Sequence, residues 1–179
     1  VQPEPVLDPA LNPVPVCSDV ISSITLGVDP GPPASVAAAS YNINNIIRQP
    51  GLVAGGSNAS IGAGQAANAI FNDTFTNTSA GPLTVTYKVV PVSAAGCLGD
   101  EADVVLTINP SPAIAAGLDR SVCTNEASGI IFATSGSSAP AAMYDITNVV
   151  IAGAAGDLIQ TNGNSGVRSG VAANEIQND

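Results

Sequence analysis

The chain has 179 residues, enough for one large domain or two small ones. Its 14 acidic residues face only Arg48, Lys88, Arg120 and Arg168, a net charge of −10. That balance excludes nucleic acid and anionic membrane surfaces as partners, because both require basic side chains to displace counterions. A hydrophobic fraction of 45% with 3% aromatics and no Trp, plus 18 Gly and 14 Pro, predicts an all-β chain with a core of small and β-branched side chains.

The first residues, VQPEPVLDPALNPVPV, contain neither a basic start nor an apolar run, so no signal peptide is visible. The chain reads as a processed form or an internal piece of something longer. Pro3, Pro5, Pro9, Pro13 and Pro15 make residues 1–15 a stiff, extended segment or the end of a preceding repeat. Strands are predicted at 20–28, 39–47, 51–54, 58–62, 68–76, 82–91 and 102–109. The uncharged stretch 49–72 is too polar and Gly-rich to span a membrane. The clearest strand signal is at the end of this series. Leu83, Val85, Tyr87 and Val89 alternate with polar or smaller residues, as do Val104, Leu106 and Ile108 with Val105 and Thr107. The Gly-containing stretch PVSAAGCLGDEA joins them, which predicts a long β-hairpin.

Beyond residue 112 the sequence begins again. PVCSDVISSIT (15–25) corresponds to SVCTNEASGII (121–131), AASYNINNI (38–46) to AAMYDITNV (141–149), and AANAIFND (66–73) to AANEIQND (172–179). Cysteines and final aspartates recur after 106 residues and tyrosines after 103, so length changes fall in loops. The organisation expected is a β-sandwich over 16–112 and the first part of a second over 113–179, lacking a counterpart of the hairpin. A neighbouring subunit would then supply the missing strands, or the continuing chain would. The Pro-rich start is a candidate donor strand, limited by its missing N–H groups.

Cys17 opens the first copy and Cys97 lies on its hairpin. A bridge between them would close an 80-residue loop, worth roughly 4–5 kcal/mol by chain entropy. Cys123, the equivalent of Cys17, then has its partner outside this segment. Free thiols in a reducing compartment and a Cys97–Cys123 bridge are the alternatives.

The order of phrases NTSAGPLTVTYKVVPVSAAGCLGDEADVVLTINPSP and then SVCTNEASGI resembles the PKD-like, immunoglobulin-like repeats of large surface proteins of Bacteroidota. The resemblance covers residues 12–179. It implies an exported β-sandwich module strung in arrays on the cell surface, acting in stalks, adhesins or fibres, and it brings no catalytic residues.

The absence of His rules out a Ser-His-Asp or Cys-His site within the chain. Asp100, Glu101 and Asp103 form either a solvated turn or a Ca²⁺ site completed by carbonyls or another acid; no other cofactor is implied. Lys88 reads as a surface charge on a strand, and Tyr41 and Tyr144 as equivalent core residues. Asn58, Asn72 and Asn77 open sequons, and Asp73-Thr74 loosely resembles an O-glycosylation motif at Thr74. The function expected is a structural module of a cell-surface fibre, filament or stalk that contacts copies of itself. The alternative is an adhesin domain binding glycan or another surface ligand; an enzyme is not expected.

Overall fold

The structure is a computed structural model describing residues 3–11, 13–31, 33–123, 126–136, 138–150 and 167–174. It is all-β: the described residues form strands and turns and no helix, so none is available to cross a membrane. Two compact units divide after Ser111.

The first unit is built on a five-stranded sheet in the order β1-β7-β6-β2-β4, formed by β1 (Val16–Cys17), β2 (Ala38–Arg48), β4 (Gly62–Gln65), β6 (Leu83–Ser93) and β7 (Ala102–Asn109). Pairing is antiparallel except between β1 and β7, where Val16 lies beside Ile108 and Cys17 beside Asn109 in parallel. The predicted hairpin is β6 and β7. Its alternation turns Val85, Tyr87, Val89, Val104, Leu106 and Ile108 inward, all at most 1% exposed. On the outer face the cross-strand pair Lys88 and Asp103 forms an ion pair of 2.6 Å.

A small sheet of β3 (Leu52–Ala54) and β5 (Phe75–Asn77), together with less regular chain, supplies the other side of the core. Here the predicted strands need correction. Residues 20–28 alternate in burial, with Ser22, Ile24 and Leu26 inside, yet they form no ladder. Their neighbour is a run of turns at 67–72, closed by bonds from Ala69, Phe71 and Asp73 N–H to the carbonyls of Ala66, Asn68 and Ile70. Carbonyls on such a run are unevenly spaced, so 20–28 takes single bonds from it instead: Ser22, Ser23 and Leu26 N–H donate to Asp73, Phe71 and Ala67. The strand predicted at 68–76 therefore shrinks to Phe75–Asn77. The one predicted at 58–62 is irregular chain, and β4 begins at Gly62.

The start of the chain also differs from expectation. Residues 3–11 belong to the first unit. Pro5 and Leu7 are buried, and Leu7 bridges Val28 within the core. A Cβ on Gly99 would lie 1.8 Å from the Pro5 carbonyl oxygen, so the segment is seated directly on the hairpin connection, and only glycine permits that approach. Leu7 thus packs in the core of its own unit.

The second unit contains β8 (Tyr144–Ile146) and β9 (Arg168–Val171), an antiparallel pair. Its hydrogen bonds repeat those of the first unit. Leu26 N–H donates to Ala67 and Phe132 N–H to Ala173; Asp8 N–H donates to Gly27 and Ala115 N–H to Ala133. The pairs Tyr41–Gln65 and Ile43–Gly62 recur as Tyr144–Val171 and Ile146–Arg168, with the same irregularity between them. Gly64 and Gly170, both at φ 70°, each donate to the side chain after the tyrosine, Asn42 and Asp145. The predicted repeats at 124–125 and 175–179 lie outside the described residues.

Candidate functional site

The acidic cluster does not converge. Asp103 is held by Lys88, and Glu101 accepts a hydrogen bond from Asn44 at 2.8 Å, while Asp100 lies on the connection before β7. No three potential metal ligands gather among the described residues, so the Ca²⁺ reading of Asp100, Glu101 and Asp103 is not supported by their placement. Lys88 is a cross-strand surface charge whose pKa is raised by its bond to Asp103.

The polar groups that do converge are buried. Asp73, 1% exposed, accepts from Tyr87 Oη at 2.6 Å and from Ala59 N–H at 2.7 Å, while its own carbonyl accepts from Ser22 N–H. Burial pushes the Asp73 carboxyl above its ordinary value, and the two donors only partly oppose this. Burial, reinforced by the neighbouring carboxylate, also pushes the Tyr87 phenol up. Next to this group the amide of Asn58 pairs with the Thr74 backbone in both directions, at 2.8 and 2.9 Å, in the manner of a strand neighbour. The Thr74 hydroxyl lies against Gly55, where a Cβ would come within 2.2 Å of it. Of the sequon asparagines, Asn58 and Asn77 are therefore engaged in the fold and Asn72 is exposed.

A second buried group joins the opening motif to β5. Ser18 Oγ accepts from Asn77 N–H at 2.8 Å. The Asn77 amide donates to the Gly81 and Ile108 carbonyls, and its oxygen accepts from Ser79. Asp19, at φ 67°, accepts from Thr76 Oγ1. The phrases Cys-Ser-Asp and Thr-Asn-Thr, 59 residues apart, are thus halves of one latch. Neither this latch nor the Asp73 group was recognised in the sequence as a site. The available signal was recurrence: Asn-Asp ends both copies of the AAN phrase, and Cys-Ser/Thr-Asp/Asn opens both copies of the repeat.

No disulfide joins any two of Cys17, Cys97 and Cys123. The expected Cys17–Cys97 bridge is corrected by topology. Parallel pairing puts Cys17 beside Asn109, at the end of β7, whereas Cys97 lies on the connection before β7 begins. The strand from Ala102 to Asn109 alone spans roughly 24 Å at about 3.4 Å per residue, far beyond the roughly 4.4–6.8 Å between Cα atoms that a disulfide requires.

The aromatic residues are mostly interior. Tyr41, 4% exposed, donates to the Leu26 carbonyl, and Tyr87 and Phe75 are buried. In the second unit Tyr144 packs on Phe132 with ring centroids 5.1 Å apart. Phe132 is the counterpart of Leu26, so both tyrosines meet the same neighbour. These arrangements satisfy buried polar groups and fill a core; none aligns a nucleophile with a base.

No curated protein and no solved structure matches the chain. PKD-like domains are in general non-catalytic structural or adhesion modules of extracellular proteins. Residues 53–112, which run from β3 through the end of β7, match the family model of the PKD-like domain.

Proposed function

We propose that this chain is a structural module of an exported cell-surface fibre, filament or stalk of the Bacteroidota type, contacting copies of its own repeat. The observation that carries the reading is the route of the chain through the first unit. It enters at Pro5, against the β6–β7 connection, and runs to Cys17 beside β7. It leaves after Asn109, at the opposite end of the sheet. Entry and exit at opposite poles allow units to be strung head to tail. Tension between them loads β1 and β7 in shear, so their bonds are strained together instead of one after another.

Single-molecule pulling tests this. The first unit should unfold at higher force when held through residues 3 and 111 than through residues 17 and 111, a geometry that separates β1 from β7 one bond at a time. Equal or reversed forces would remove the load-bearing reading. Surface labelling of intact cells tests export separately.

A further inference from the structure

We propose that the Ser18–Asn77 latch is the mechanical clamp of the first unit, a buried polar brace that ties the end of β1 to both β5 and β7 so that they yield together under tension. This rests on the load-bearing reading above and names the residues that carry the load.

The ladder by itself is short. β1 pairs with β7 through Val16 and Cys17, so few backbone bonds share a shearing force. Residues 18 and 19 continue past the ladder and are fastened on two sides. Towards β7, Ser18 N–H donates to the Asn109 carbonyl at 2.8 Å. Towards β5, Ser18 Oγ accepts from Asn77 N–H at 2.8 Å, Asp19 N–H donates to the Phe75 carbonyl at 2.9 Å, and Thr76 Oγ1 donates to Asp19 Oδ1. The Asn77 side chain closes the circuit. Its amide donates to the Ile108 carbonyl on β7 at 2.8 Å and to the Gly81 carbonyl at 2.9 Å. The end of β1 is thus joined to β7 twice, directly and by way of Asn77.

The brace is oriented and shielded. Asn77 Oδ1 accepts from the N–H and the hydroxyl of Ser79, which turns the amide N–H groups onto the two carbonyls. Ser18 and Asn77 are 7% and 5% exposed. Water competes for a hydrogen bond once strain opens it, and a buried bond lacks that competitor and is electrostatically stronger. Sliding β1 past β7 must break the ladder and, in the same displacement, strip Ser18 from Asn77 and leave both unpaired in the interior. Hydrogen bonds are short-ranged and directional, so this penalty falls early in the displacement. Apolar burial is non-directional and is lost gradually as area is exposed. The latch therefore sets resistance to force out of proportion to its share of equilibrium stability.

The test holds the 179-residue chain at constant force through residues 3 and 111 and reads the lifetime of the folded first unit, with urea unfolding of the same proteins alongside. Ser18→Ala removes the acceptor of Asn77 N–H and should shorten the lifetime by about tenfold or more. Thr76→Val keeps its shape, loses only the donor to Asp19, and should shorten the lifetime by a smaller factor. Ile43→Val, on β2, removes one methylene from the core and is the control for lost stability. At a comparable loss in urea it should shorten the lifetime by less than about threefold. If Ser18→Ala and Ile43→Val lose lifetime in proportion to their losses in urea, the latch only satisfies buried polar groups and the clamp is wrong. If Ser18→Ala does not fold, Thr76→Val against Ile43→Val decides in the same way, because Thr76 is only half-buried. Pulling wild type through residues 17 and 111 tests load direction separately: the clamp can fail while that result stands, and equal forces there remove the load-bearing reading whatever the variants do.

Discussion

Asp73 concentrates the energetics of the first unit in one side chain. Its carboxylate accepts from a phenol in the core and from a half-buried backbone N–H, so Asp73→Ala leaves the buried Tyr87 hydroxyl and the Ala59 N–H unpaired. The expected cost is about 2–4 kcal/mol, measured by urea unfolding of wild type and variant. The pH dependence has a defined sign. The folded state holds the carboxyl above its ordinary value of 3.8, so folding favours the protonated form. The stability this contributes is complete below the ordinary value and is lost as pH rises through the folded-state value. Relative to Asp73→Asn, which does not titrate, wild type should therefore gain stability as pH falls from 7 toward 4. A stability difference that stays flat or moves the other way would contradict the burial-raised pKa. The strand reading of 68–76 concealed this role. Alternation reports which side chains face inward, not that the chain around Ile70 turns and delivers a carboxyl to the interior.

At the scale of elements, the hairpin was legible and its setting was not. Val85, Tyr87, Val89, Val104, Leu106 and Ile108 announce themselves by period two, and each is buried as that period requires. The N-terminal segment carries no such signal, because its prolines mask a single core residue. Leu7→Ala should destabilise the first unit by about 2–4 kcal/mol, as for other fully packed leucines. Gly99→Ala should displace the segment from the hairpin, since the added methyl meets backbone and not a flexible side chain. Both effects are read in thermal unfolding and in the protease sensitivity of residues 3–11. If both variants melt as wild type does, the segment is an ornament of the fold and not part of it.

At the scale of the whole molecule, the cysteines separate two pictures of what holds the first unit together. Because Cys17 and Cys97 sit at opposite ends of β7, peptide mapping of the unreduced protein should find no link between them. Cys17 and Cys123, both exposed, should alkylate in the native protein. A Cys17–Cys97 peptide would require a sheet in which β1 runs against β7. The stability of the unit rests instead on its core and on the two buried polar groups.

The all-β class, the strongest hairpin and the recurrence after 106 residues follow from the order of residues alone, because they are written in neighbouring residues as period two and in the chain as repetition. That Ser18 bonds Asn77, that Asp73 bonds Tyr87, that Leu7 fills the core and that Cys17 is remote from Cys97 emerges only once the chain is folded. Each of these depends on which strands become neighbours and in which direction they run. Strand direction is settled by long-range packing, and residues far apart in the chain carry no local mark of it.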